Sequence, residues 1–498
     1  MRYHRKVRFA LVLCALTGCS PILGIEGFKV TDGSTIDAAP SFAQQAYIKA
    51  SNTDAGDYFG GAIAISGDGN TLAVSAYLEA SAAVGVGGLQ ADNTKATSGA
   101  VYVFTRADVT WTQQAYLKAS NTDAGDQFGH SLALSADGNT LAVGADGEAN
   151  ALTGINPVQA GNTAAAAGAV YVFARQGTTW AQTTYIKASN TGAADHFGYV
   201  VALSGDGKTL ATSAVLEDSS SVGINSVPNE LATNAGAVYV FVLGAMAWSQ
   251  QAYIKASNPG AGDRFGNALA LSSDGSTLAV AAPLEDSAAT GINGNQSNDL
   301  AVDAGAAYVF SRTGVTWSQQ AYVKAANTET LDRFGQSIAL SDDGNTLAVG
   351  TSYDDSASAT MPDDNSVMDS GSVSVFARTG TAWAPSAYLK SPMPTAGDLF
   401  GSSMSLGASG TVLVIGANAE NNGAGGSHVL DLSGTTWTEA AHLVAINGDP
   451  QDHFGLAVIG GTTVGVGAFG EDSSATGIDG DSTDNLAANS GAAYVFAK

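Results

Sequence analysis

The sequence predicts an all-β fold: a seven-bladed β-propeller of four-stranded antiparallel blades, closed by the strand at its own N-terminus. Three observations carry that expectation. Asp-x-Phe-Gly recurs seven times, with its phenylalanines at 59, 128, 197, 265, 334, 400 and 454. All six tryptophans (111, 180, 248, 317, 383 and 437) occupy one position of the same repeat, 66–69 residues apart except for a last interval of 54. Such periods mark propellers, solenoids or arrays, not a string of unrelated domains. The repeats also open on a lone strand, Gln44 to Lys49, of the type that ends each unit, and finish on the strand before it, Gly491 to Phe496. The opening strand can complete the last unit and close a ring, whereas an open solenoid would need two atypical caps.

Composition narrows the rest. Of 498 residues, 45% are hydrophobic, which is enough for a large core and rules out general disorder. With 20 Lys and Arg against 45 Asp and Glu, the formal charge is −25, so nucleic acid is not an expected partner. Two cysteines cannot staple a chain of this length, and packing has to hold it.

The N-terminus reads as an address. Arg2, Arg5, Lys6 and Arg8 precede a short apolar run, Phe9 to Leu16, too short to span a bilayer and suited to a secretory signal. Leu16-Thr17-Gly18-Cys19 then resembles the lipobox of bacterial lipoproteins. The resemblance implies that residues 1–18 are a signal peptide removed on export, taking Cys14 with them, and that Cys19 carries lipid and holds the chain to a membrane. A plain cleaved signal followed by a chance cysteine is the alternative. In the lipoprotein family, Ser20 in place of Asp after the lipidated position favours the outer membrane or cell surface. Residues 19–43 then form the lipidated cysteine and a flexible tether, and residues 44–498 the propeller.

Each unit carries four short β signals, seen well in unit 2: FGHSLALS, Thr140 to Val143, Gly168 to Phe173, and Trp180 to Ala188, here called A to D. They are β-branched and aromatic and are bounded by Gly, Asp, Asn and Ser. Runs such as VYVF predict strands buried on both faces. Between A and B, Asp137-Gly138 supplies the positive φ of a hairpin turn. Phe-Gly followed about fifteen residues later by Val-Gly-Ala or Ile-Gly-Ala, at 128–145 and 400–417, resembles the FG-GAP repeat of integrin α-subunit propellers and their bacterial relatives. That resemblance covers residues 44–498 and implies a seven-bladed propeller with extracellular binding or adhesion. One departure concerns metal. Many members of the family carry an Asp-x-Asp-x-Asp-Gly calcium loop between A and B, where this chain has short turns such as Gly67-Asp68-Gly69. One or two carboxylates there fall short of the oxygens calcium takes, so that site is not carried over.

Antiparallel strands put the D–A and B–C loops on one face of the disc and the A–B and C–D turns on the other. The loop face holds 33 of the 45 acidic residues, with Lys95 as its one basic residue, and is expected to attract cationic partners and repel anionic surfaces. Polar turn composition is the plain alternative. The motif Thr-Gly-Ile-Asn or Thr-Gly-Ile-Asp at 153–156, 290–293 and 476–479 predicts ordered B–C loops lying side by side. The aspartates before each Phe-Gly (57, 126, 195, 263, 332, 398 and 452) are expected to accept backbone N–H groups at the loop-to-strand junction, with a cation-concentrating ring as the other reading. Phe and Trp read as core anchors. Lys49, Lys118, Lys187, Lys255, Lys324 and Lys390 end the D strands and are expected in exposed local pairs with the acidic loops.

For function the sequence argues against an enzyme. Its six histidines are scattered, and no nucleophile elbow, zinc-protease, phosphate-loop or dinucleotide motif occurs. Unit 6 stands out through a B–C loop of only nine residues, Asn418 to Gly426, against about twenty elsewhere. This predicts a notch in the acidic rim, flanked by Asp363, Asp364 and Asp481, as the partner site. No cofactor is required. Calcium is a candidate on the last B–C loop, where Asp479, Asp481 and Asp484 offer oxygens at close spacing without an EF-hand pattern. The expected protein is a monomeric, exported, lipid-anchored module binding a protein or glycan through its loop face. The competing readings are a glycan-processing enzyme on a propeller scaffold and a non-binding structural scaffold.

Overall fold

A computed structural model describes residues 42–498. Seven antiparallel sheets of four strands each follow one another along the chain. In six blades the strands are consecutive, as in blade 2: Ser131–Leu134, Thr140–Ala145, Ala169–Gln176 and Thr179–Ile186. Blade 7 is assembled from both ends of the chain: Phe454–Gly460, Thr463–Ala468 and Ala492–Ala497 are completed by Ala43–Ile48, with Tyr47 opposite Tyr494. Innermost strands of neighbouring blades touch all the way round, Phe59–Ile65 of blade 1 against Phe454–Gly460 of blade 7 included. The ring is closed as the order of the repeats predicts.

The core lies between blades. Strand C shows why VYVF is buried throughout: Tyr102 and Phe104 pack toward blade 7 with Ala493 and Val495, while Val101 and Val103 pack toward blade 2 with Phe128 and Tyr171. Alternate side chains of one strand thus fill two separate layers. Each motif phenylalanine is fully buried, and Phe59 meets Tyr102 edge-on at 5.3 Å. The tryptophans anchor the outer side as expected, five of them buried and Trp437 half-buried. Arg175 lies over Trp180 at 5.4 Å, and the Trp180 indole donates to Gln114 of the preceding blade at 2.9 Å.

Both ends of the disc are knitted by backbone. On the turn face, Gly67 N–H donates to Ala136 O, Ala136 to Gly205, Gly205 to Ser273, Ser273 to Asp342 and Asp342 to Ala408, at 2.8–3.3 Å. This chain of bonds, running from blade 1 to blade 6, borders a neck of about 140 Å³ lined by Ile65, Leu134, Leu203, Leu271, Leu406 and Ile459. On the loop face the end of each B–C loop pairs with the D–A segment of the next blade, as where Phe197 N–H donates to Ala167 O at 3.0 Å. A Cβ on Gly168 would collide with the Phe197 backbone there, so the close approach requires glycine.

The B–C loops are ordered, those of blades 3 and 4 line one cleft together, and the repeated motif ties a loop to its own blade. The Thr-Gly-Ile segment turns back onto the outer strand of its own blade: Ile155 bridges Ile186, and Asn156 exchanges hydrogen bonds with Tyr185 at 2.7 and 2.8 Å. An exposed outer edge is thereby covered.

The lysines overturn the expectation of exposed pairs. Lys187 and Glu148 have side chains 0% and 1% exposed and meet at 2.7 Å. Tyr185 and Asn121 donate to the other carboxylate oxygen at 2.9 and 3.0 Å, and Tyr171 donates to Asn121 at 2.6 Å. Equivalent buried pairs join Lys49 to Glu471, Lys118 to Glu79, Lys255 to Glu217, Lys324 to Glu285 and Lys390 to Asp354 at 2.6–3.2 Å. Burial pulls these lysines below their ordinary pKa, opposed by the carboxylate each one faces. The acids of these pairs come from the loops credited to the acidic rim, so that rim is thinner than the residue count implies.

The aspartates before Phe-Gly are buried too, and their role is structural. Asp126 accepts the N–H of Asp123 at 2.7 Å, closing the D–A loop backward over three residues, and most blades repeat the bond. Burial pushes Asp57, Asp126, Asp195 and Asp263 up to about 7, Asp332 to about 8 and Asp452 to about 6.

Three expectations follow. Deleting residues 42–49 leaves Glu471 buried without its lysine and should lower the melting temperature well beyond the effect of deleting 1–41. Lys118→Met should cost about 3–5 kcal/mol in chemical denaturation, and adding Glu79→Gln should recover most of it, because a buried charge without its partner is worse than no pair. The raised aspartates set the pH response. Between the unfolded carboxyl value and the folded one, the native state holds more protons, so stability falls as pH rises through that window. Melting temperature should therefore drop between about pH 4 and about pH 8, and Asp126→Asn should shrink the drop.

Candidate functional site

Blade 6 is where the sevenfold pattern changes chemistry. Glu420 stands where Glu148 stands in blade 2, three residues past strand B (Val412–Ala417). The chain then makes a single tight turn, Glu420–Gly423, with Asn421 and Asn422 left-handed at φ 54° and 63°, before entering strand C (Gly426–Ser433). Every partner of the buried carboxylate is exchanged. Lys187 becomes Val444, Tyr171 becomes His428, Tyr185 becomes His442, and Asn121 becomes Met393. The alanine that opens strand C in most blades (169 in blade 2) becomes Gly426.

The ladder holds the two imidazoles together. His428 on strand C lies directly opposite His442 on strand D (Thr436–Leu443), as Tyr171 lies opposite Tyr185. Their rings stack at 4.4 Å with planes 15° apart. Glu420 Oε2 is 3.1 Å from His442 Nε2 and 3.4 Å from His428 Nε2. On its other edge, His428 Nδ1 meets Glu439 Oε1 at 2.6 Å. Glu439 replaces the Gln182 of blade 2 at the same cross-strand position, so this partner too is particular to blade 6. Phe400 closes edge-on against His428 at 5.2 Å. His428 is 3% exposed and its Nε2 has no hydrogen-bond partner, while His442 reaches solvent. Burial opposes the charge on Glu420, but the flanking imidazoles prevail and hold its carboxyl down to about 2. The Glu420 carboxylate in turn raises His442.

A second departure from symmetry lies at the head of the innermost strands. His196 and His453 share a repeat position after all, the x of Asp-x-Phe-Gly, where blades 4 and 5 carry Arg264 and Arg333. His453 stacks on Phe469 at 4.9 Å, Phe469 on Tyr58 at 5.7 Å, and His130 packs against Tyr199 at 4.9 Å. Asp146 accepts from His196 Nδ1 at 3.0 Å.

The residues singled out from sequence are placed as follows. Cys19 lies outside the described residues. Asp363 is exposed and Asp364 half-buried in the B–C loop of blade 5, and Asp481 is exposed in that of blade 7, so the two loops flank the short turn of blade 6. Asp479 accepts the Tyr47 N–H at 2.9 Å, Asp481 the Thr483 N–H at 3.0 Å and Asp484 the Ser474 N–H at 2.9 Å. Among the described residues, Glu420, His428 and His442 are the group of three whose ligand atoms all lie within 4.8 Å of one another. Sequence reasoning passed over them because the histidines were compared with one another. Aligning blade 6 to its neighbours position by position exposes the signal: the retained glutamate has lost its lysine and gained two imidazoles.

Among known proteins, the FG-GAP repeat family model matches residues 42–104, 111–173, 180–241, 248–310, 317–376 and 437–496. Between the last two stretches lie strands A to C of blade 6, with Glu420 and His428. No curated protein matches the chain. Among solved structures, it is similar to a putative 6-phosphogluconolactonase from Bacteroides uniformis at 13% identity and TM-score 0.45, over 78% of this chain and 85% of that one. It is also similar to a periplasmic gluconolactonase from Pseudomonas aeruginosa at 15% identity and TM-score 0.44, over 77% of this chain and 84% of that one. Six matched repeats over most of the chain, on a closed ring of seven four-stranded blades, make this protein a member of the FG-GAP repeat family.

Proposed function

We propose that the protein is an exported, lipid-anchored binding module that takes a protein or glycan partner on its loop face, at the notch over blade 6. The observation that carries this reading is the apolar content of that face. Leu231, Leu300 and Leu486 occupy matching positions in the B–C loops of blades 3, 4 and 7 and are 80%, 82% and 81% exposed. Leu89 and Val227 stand out equally, both at 84%. Loops serving solubility alone would not repeat an exposed leucine, and apolar side chains among carboxylates suit a partner with both greasy and cationic groups. Asp363, Asp364 and Asp481 supply the charge beside the notch. The lipid on Cys19 would place this face in reach of whatever lies outside the membrane.

The test is a panel of immobilised extracellular proteins and glycans, cationic ones such as chitosan included, probed with the full chain. A binder is expected whose affinity drops about tenfold or more, roughly 1.4 kcal/mol, in the triple variant Asp363→Lys, Asp364→Lys, Asp481→Lys. It should also weaken in Leu231→Ser, Leu300→Ser, Leu486→Ser, and when blade 6 receives the long B–C loop of blade 5. Binders indifferent to all three changes, or none across the panel, would overturn the reading.

A further inference from the structure

We propose that Glu420, His428 and His442 form a site for a divalent transition-metal ion of the zinc class, with an open coordination position toward solvent. Neutral imidazole and carboxylate are the ligand types such ions select, and two nitrogens with one oxygen leave the fourth corner of a tetrahedron free. The spacing fits. Ligands about 2.0–2.2 Å from zinc stand roughly 3.3 Å apart along a tetrahedral edge. Glu420 Oε2 lies 3.1 Å from His442 Nε2 and 3.4 Å from His428 Nε2.

Three further features point to a ligand. The His428 Nε2 is buried, unpaired and aimed at the Glu420 carboxylate. Its Nδ1 faces Glu439 Oε1 at 2.6 Å, so Glu439 can hold the ring proton on Nδ1 and free Nε2 to ligate an ion. Freed in this way, Nε2 faces the half-buried Glu420 carboxylate at 3.4 Å, and a cation between them would satisfy both. The same carboxylate position in the other six blades has that cation covalently built in as a lysine, and Val444 takes its place here. Gly426 supplies the room: a Cβ there would run into the Glu420 carboxylate and stand 2.7 Å from His442 Nε2. Coordination requires His442, the exposed member, to turn out of its stack on His428 so that the two lone pairs converge on one ion.

The full-length protein, stripped with chelator and titrated with cobalt(II), is expected to take up one equivalent with the visible absorption of a tetrahedral nitrogen–oxygen site. Zinc should displace it and raise the melting temperature. His442→Ala should abolish the band while still unfolding cooperatively in chelator, somewhat below wild type because Glu420 then keeps His428 alone. Gly426→Ala should do the same by filling the site, and Glu439→Gln should weaken zinc about 10–100-fold through the orientation of His428. If His442 serves only as a protonated substitute for the missing lysine, neither metal binds stoichiometrically, and the proposal is overturned. It is overturned equally by uptake that survives both His442→Ala and Gly426→Ala.

Discussion

A blade whose sheet is apolar on both faces cannot be stable alone. Tyr102 and Phe104 point one way from strand C of blade 1 and Val101 and Val103 the other, so each sheet needs a neighbour on either side. A row of such sheets always leaves two greasy ends, and only closure removes them. Much else in the architecture is subordinate to that requirement. The strand Ala43–Ile48 crosses from the first residues of the fold to finish blade 7, and the innermost strands complete their circle between blades 1 and 7.

Closure brings the loop segments together above the core and creates a second constraint, buried charge. In six blades the B–C loop sends a carboxylate under itself, out of reach of water. Such a group is tolerated only when paired and fully hydrogen-bonded. Six blades meet the condition with a lysine from strand D, and in blade 2 two tyrosines and an asparagine complete the network. The network ties loop, outer strand and preceding D–A segment into one unit, which explains how loops of about twenty residues stay ordered. Those carboxylates are consumed by the structure, so the solvent-facing charge on this side rests on exposed groups such as Asp363 and Asp481.

Blade 6 meets the same constraint differently. With the lysine gone, Glu420 is left with two imidazoles, one buried and oriented by Glu439 and one open to solvent. The shortened B–C loop belongs to the same change. A long loop would fold back over strand D, as the loop at Ile155 does over Ile186, and would cover His442. The deletion that reads as a notch in the rim is also what leaves this cluster accessible.

Repeat count, strand identity, ring closure and the buried anchors were legible in the sequence because they rest on local patterns repeated in register: Asp-x-Phe-Gly, VYVF, a tryptophan per unit and a displaced final strand. The state of the lysines and of the aspartates before Phe-Gly was not, since a charged residue next to an acidic loop looks the same whether the loop stands off in water or folds down over it. Nor was the grouping at 420, 428 and 442. Their separations in the chain match no metal-binding spacing, and only the pairing of His428 with His442 across the ladder, under the turn that delivers Glu420, brings three ligand atoms together. Periodicity along the chain therefore determined the architecture. Burial and cross-strand neighbours, which depend on how the blades pack, decided where its charges go and which of them can act.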